Sequence, residues 1–163
     1  MLGVPLVIDL VNDFLERWEG GRRDALIASV NALVTAFRAH GAPVVWVRQE
    51  FEPDLSDAFL EMRRTGARVT IRGTPGCQLA TGLDVLAMDG MIVKKRYSAF
   101  FGTCLDDRLR ALDASTLVLA GLNTHACVRM TAIDAYQHDY DVVLAGDCVT
   151  SYDPEHHAVS LGT

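Results

Sequence analysis

Three residues of reactive type stand just beyond apolar runs in this sequence: Cys127, Asp9 and Lys94. Cys127 follows TLVLAGL (116–122), within Gly121-Leu122-Asn123-Thr124-His125-Ala126-Cys127-Val128, near the start of a predicted helix. A thiol placed there gains from the positive end of the helix dipole, which lowers its pKa and favours the thiolate nucleophile. The free N–H groups of a helix start can also bind a developing oxyanion. Asp9 closes the run PLVIDL behind Val7 and Ile8. That place is partly desolvated and suits a carboxylate acting as general base. Lys94 follows Met91, Ile92 and Val93 and precedes Lys95 and Arg96. A lysine at the carboxyl end of a strand can hold a carboxylate and a thiolate together and stabilise negative charge. Each residue also has a plainer reading, and taken singly the plainer one is stronger. Cysteine is a common buried filler, aspartate caps turns, and a Lys-Lys-Arg run is usually a solvated surface. Base, cation and thiol meet only if the fold brings their strands together.

The elements that would do so are readable from hydrophobic pattern. Apolar runs at 5–10, 43–47, 91–93, 116–122 and 141–146 lack strict alternation, as expected of strands covered on both faces. Between Arg22 and His40 the residues Leu26, Val30, Leu33 and Phe37 recur at helical spacing, until Gly41 and Pro43 stop the helix. Shorter helices are predicted over 59–64 and 106–112, a longer one over 124–138, and another from Pro154. Gly73-Thr74-Pro75-Gly76 is turn chemistry. Strand and helix alternate, which predicts an α/β fold: a three-layer α/β/α arrangement around a doubly wound, mostly parallel, Rossmann-like sheet. In such sheets ligands sit beyond the carboxyl ends of the strands, where Asp9, Lys94 and Cys127 fall.

Composition bounds the alternatives. A chain of 163 residues, half of them apolar, fits one domain spanning 1–163 with a sizeable core. A net charge of -6 argues against nucleic acid as a partner. No uncharged apolar stretch is long enough to span a membrane, and the start MLGVPLVIDLVNDF lacks a basic leader region. The expectation is a cytoplasmic protein that takes a small-molecule substrate. The four cysteines are widely spaced with no C-x-x-C pair, so free thiols are expected, with Cys77, Cys104 and Cys148 as small buried residues.

Four blocks carry a family resemblance: VIDLVNDF (7–14), RGTPG (72–76), VKKRYSAFFGTCLDDRLR (93–110) and LVLAGLNTHACVRMTAIDAYQHDYDVVLAGDCVTS (117–151). In this order the chain resembles the isochorismatase-like cysteine hydrolases, which include nicotinamidases and N-carbamoylsarcosine amidases. The blocks around Lys94 and Cys127 are the most specific. The resemblance implies that Asp9 is the base, Lys94 the triad lysine and Cys127 the nucleophile. It also implies a cis peptide between Leu122 and Asn123, with the N–H groups of Asn123 and Cys127 forming an oxyanion hole. The implied reaction is cleavage of a C–N bond in a small amide, carbamoyl or ureido compound through a thioester, without a cofactor. The alternatives are isochorismatase-type vinyl-ether hydrolysis, which needs no such cysteine, and a binding protein on the same fold. A homo-oligomer, dimer or tetramer, is implied as well.

Two departures stand out. Val11 occupies the position two beyond the aspartate where the family often has glutamine, and relatives carry a fuller last helix and a further segment after HHAVSL (156–161). Nicotinamidases hold a metal through an Asp-x-His motif and further histidines after the second strand. Here VRQEFEPDLSD (47–57) contains no histidine, so no metal is expected. His156-His157 reads as surface histidines. Phe14, Tyr97 and Phe100 are candidate pocket-lining residues, although single aromatics more often belong to the core.

Overall fold

Val4–Ile8 forms strand β1, and all five of its residues are buried. Only a strand covered on both faces can hide an uninterrupted apolar run, and the layers around β1 bear this out. The computed structural model describes residues 3–162. After β1 come α1 (Asn12–Leu15), α2 (Gly20–Ala39), β2 (Val45–Gln49), α3 (Leu60–Thr65), β3 (Gly90–Lys94) and α4 (Leu105–Ala111). Then follow β4 (Thr116–Leu122), α5 (Arg129–Gln137), β5 (Asp141–Thr150) and α6 (Pro154–Leu161). The five strands are all parallel, in the order β3-β2-β1-β4-β5.

Alternate residues of each strand feed two cores. Val4, Leu6 and Ile8 of β1, with Val45, Val47, Leu117 and Leu119, pack against Leu105 and Leu109 of α4 and Ala135 of α5. Val7, Trp46 and Ala120 face the other way, onto the α2 stripe Leu26, Ile27, Val30 and Val34. The indole N–H of the fully buried Trp46 donates to Asp89 Oδ2 at 2.8 Å, so even this large ring leaves no polar atom stranded. Helices thus cover both faces of the sheet, as the pattern predicts. A smaller core of Phe51, Leu55, Ala58 and Ile71 stabilises the long connection between β2 and β3.

The strand order reverses between β1 and β4, one leading to β2 and the other to β5. That is the switch point where doubly wound sheets open a crevice. The two strands run very close there. At Gly121, with φ +111°, a Cβ would lie 1.9 Å from the carbonyl oxygen of Ile8, so only glycine fits. Three details differ from the sequence expectations. The stretch predicted as one helix from Thr124 begins as a π-helical turn over Thr124–Val128 before α5. β5 runs to Thr150, past a register irregularity opposite Leu119 to Gly121. Cys104 is exposed, while Cys77 and Cys148 are buried; all four cysteines are free.

Candidate active site

The carboxyl end of β1 places Asp9 in the left-handed region, at φ 56°, a conformation that aspartate tolerates better than most residues. Its backbone is tied there by an N–H donated to the carbonyl of Val47 at 2.8 Å. Its side chain is tied by the N–H of Gln49, donated to Oδ1 at 2.8 Å. Gln49 pairs in register with Lys94 on the edge strand β3. From there the long Lys94 side chain reaches back over β2. Its Nζ lies 2.7 Å from Asp9 Oδ2, 3.4 Å from Cys127 Sγ and 2.9 Å from the carbonyl of Arg96. Asp9 and Lys94 are both completely buried. Of the Lys-Lys-Arg run only the first residue turns inward: Lys95 pairs with Asp57, and Arg96 donates to the carbonyl of Asp57.

Cys127 sits in the π-helical turn beyond β4, across the switch point from Asp9. The N–H groups of Ala126 (3.0 Å) and Val128 (3.2 Å) both donate to the carbonyl of Asn123, and that of Arg129 donates to the carbonyls of Ala126 and Thr124. The Leu122–Asn123 peptide is cis, as the resemblance implies. π-helical turns are rare and are frequent at functional sites.

The electrostatics correct one expectation. Burial, reinforced by the negative charge of Asp9, pushes the Cys127 thiol up to about 12. The Lys94 cation opposes this and is outweighed. A helix-start dipole acting on an open thiol would lower that value, but here the turn seats the sulfur beneath the surface, where desolvation governs. Burial alone would push the Lys94 ammonium down; Asp9 and Cys127 together overcome it and hold Lys94 above its ordinary value. At rest the arrangement is therefore a carboxylate–ammonium pair beside a neutral thiol.

A cavity of about 470 Å³ opens onto Cys127, walled by Phe14, Phe59, Tyr97, His125 and Tyr152 among others. A larger depression of about 790 Å³ adjoins it and shares Phe14, Asn123 and Tyr152. Phe14 and Tyr97 are thus at the cavity wall. Phe100 is not: it packs in the core against the His138 ring, centroids 4.9 Å apart, because its chain position turns inward under α5. Val11 is fully buried and bridges to Leu79. The carboxylates after β2 are engaged, Glu50 by Arg48 and Glu52 by Arg72, so this segment does not fit a metal. Among the described residues no group of three histidine, cysteine or carboxylate side chains could hold one. Sequence reasoning missed Gln49, whose N–H orients Asp9, and the pair His125–Ser151, whose Nδ1 and Oγ are 2.6 Å apart.

Comparison with known proteins decides the family. The Isochorismatase domain matches residues 4–163. The chain belongs to the isochorismatase family. It is 35% identical over 167 residues to a probable inactive nicotinamidase of Arabidopsis thaliana, covering 96% of this chain and 84% of that protein. It is 30% identical over 177 residues to the ureidoacrylate amidohydrolase RutB of Methylorubrum extorquens, covering 93% and 71%. The N-carbamoylsarcosine amidase of Thermoplasma acidophilum superposes with a TM-score of 0.82 at 32% identity, covering 96% of this chain and 88% of that one. As a member of this family the chain is a hydrolase, with an amidohydrolase-like fold. No helix among the described residues is long and apolar enough to cross a membrane.

Proposed function

We propose that this isochorismatase-family hydrolase cleaves a C–N bond of a small amide, carbamoyl or ureido compound through a thioester on Cys127. The observation that carries this reading is the buried Lys94, in contact with both Asp9 and Cys127, the last of which lines a cavity. A lysine buried there with no chemical task would be a large desolvation cost without purpose. Relatives named for a ureido acid and for a carbamoyl compound support the substrate class.

Contacts among Asp9, Lys94 and Cys127 support the proposed steps. Asp9 Oδ2 is fully buried against the Lys94 ammonium, and the Asp9 carboxyl group faces the Cys127 thiol. It takes the thiol proton as sulfur attacks the carbonyl carbon, so no free thiolate need accumulate from a group at about 12. Lys94 stays charged and balances the carboxylate and then the sulfur. The N–H groups of Asn123 and Cys127 receive the oxyanion. Protonated Asp9 gives its proton to the departing nitrogen, the C–N bond breaks, and a thioester remains. Water then gives a proton to Asp9 and its oxygen to the acyl carbon, the C–S bond breaks, and the proton returns to sulfur. This is the logic of nucleophile, base and orienting group that recurs on unrelated folds.

Two further parts of the reading have physical support. Four free cysteines suit a reducing compartment, hence the cytoplasm. The exposed apolar residues Ile133, Tyr136 and Val143 on α5 and β5 suit a homo-oligomer, dimer or tetramer. The test is ammonia release from a panel of amides, carbamoyl compounds and ureas, with wild type and Cys127→Ala side by side. Turnover lost in the variant supports the reading. Turnover that survives points to thiol-independent C–N hydrolysis. No turnover by wild type points to vinyl-ether cleavage or to a binding protein on this fold.

A further inference from the structure

His125 lies two residues before Cys127 in the same π-helical turn, and its ring lines the same cavity. Its Nδ1 is 2.6 Å from Ser151 Oγ. Ser151 is completely buried, and among the described residues its Oγ has one other partner, the N–H of Asp153 at 3.3 Å. A backbone N–H can only donate, so that contact occupies a lone pair of Oγ. Among the described residues the Ser151 hydroxyl proton then has one acceptor within reach, His125 Nδ1. A buried hydroxyl left without an acceptor is costly, so the network selects the form in which Nδ1 accepts and Nε2 carries the proton. Ser151 is itself pinned, its carbonyl accepting from Arg22 at 2.6 Å.

The groups facing the ring favour its neutral form. Burial holds the His125 imidazole below its ordinary value, the nearby His156 adds to this, and Asp153 opposes it weakly. The His156 ring is 4.9 Å away and the Tyr152 ring 5.2 Å, edge-on. The Nε2–H has no hydrogen-bond partner among the described residues. Glu61, an exposed residue of α3, also lines the cavity.

We propose that His125 is a substrate-recognition residue: its Nε2–H donates to a second, uncharged carbonyl oxygen on the substrate, away from the bond that is cleaved. This rests on the hydrolase reading above for the identity of the ligand. With Glu61 in the same lining, a neutral acceptor is favoured over a second anion. The substrate class narrows to acylureas, diamides and related compounds with two carbonyl groups.

N-acetylurea and N-ethylurea differ by one carbonyl oxygen and are the probes. Binding is measured by calorimetry in Cys127→Ala, where turnover does not interfere, and again with His125→Phe or His125→Gln added. The expected result is a preference for N-acetylurea of about tenfold, lost with His125→Phe and kept with His125→Gln, which retains a donor near the Nε2 position. An equal preference with His125→Phe, or no preference at the start, overturns the proposal. Nitrogen-15 NMR of the unliganded wild type is independent of any ligand: a neutral Nε2–H tautomer near pH 7, shifted by Ser151→Ala, is expected, and an Nδ1–H tautomer overturns it. A His125-dependent preference in a protein that releases no ammonia from either compound would sustain this proposal and count against the C–N cleavage reading alone.

Discussion

Replacing Asp9 by asparagine should make the thiol more reactive while abolishing turnover. Lys94 Nζ is 2.7 Å from the Asp9 carboxylate and 3.4 Å from the sulfur. With an effective dielectric constant of about 20, those separations correspond to about 6 and about 5 kcal/mol of attraction between unit charges. The two are nearly equal, so one cation cannot fully serve both anions. In the wild type a thiolate would meet an ammonium already neutralised, and would also be repelled by the carboxylate, which is why burial and Asp9 together hold the thiol at about 12. Asparagine keeps the acceptor for the Gln49 N–H and removes the charge. If only a quarter of the attraction between Lys94 and Asp9 is released to sulfur, about 1.5 kcal/mol, the thiolate population rises about tenfold. Iodoacetamide should then modify Cys127 at least about tenfold faster at pH 7 in Asp9→Asn than in wild type. Hydrolysis should fall by about 10²–10⁴, the usual worth of a general base. Mass spectrometry of the Cys127 peptide reads the first and ammonia release the second, with circular dichroism to confirm folding. Alkylation that slows in parallel with hydrolysis would refute the reasoning, because Asp9 would then not be the group that keeps the proton on sulfur.

Other outcomes follow from the same structure. Native Cys127 ionises near 12, against an ordinary 9.0, so the unfolded chain releases this proton first as pH rises. The contribution is fully present below pH 9 and is lost between pH 9 and about 12, up to about 4 kcal/mol; urea melts should show a smaller alkaline loss in Cys127→Ala than in wild type. In Gly121→Ala the new Cβ would meet the Ile8 carbonyl at 1.9 Å and force β4 from β1. Stability should drop by more than about 3 kcal/mol in urea titration, and activity should fall with it. Phe100→Ala should cost about 3–5 kcal/mol as a core truncation while leaving KM unchanged in steady-state assays; a raised KM would return Phe100 to the cavity wall.

Much of the fold is legible because burial on both faces leaves a simple trace. TLVLAGL matches β4 residue for residue, since a central parallel strand needs nothing but apolar side chains. The edges are harder. The exposed residues of β5 carry no such signature, so its extension to Thr150 is set by pairing with β4 rather than by its own composition. The residues of the site are legible through their motifs, but their meeting is not: Lys94 reaches Asp9 across an intervening strand, a matter of sheet order alone. Gln49 acts through its backbone N–H, which leaves no mark in residue type. Phe100 misleads because a conspicuous aromatic in a specific motif packs inward as readily as it faces a ligand. The thiol misleads for a related reason: a dipole argument presumes an open helix start, and the π-helical turn buries the sulfur instead.

The central claim is that Cys127 becomes covalently acylated. Rapid quenching of wild type during turnover of the best amide in the panel, followed by mass spectrometry of the Cys127 peptide, addresses it directly. An added acyl mass on Cys127, formed no more slowly than ammonia appears and lost on treatment with hydroxylamine, is the predicted result. Ammonia released at the full rate with Cys127 unmodified throughout would contradict it.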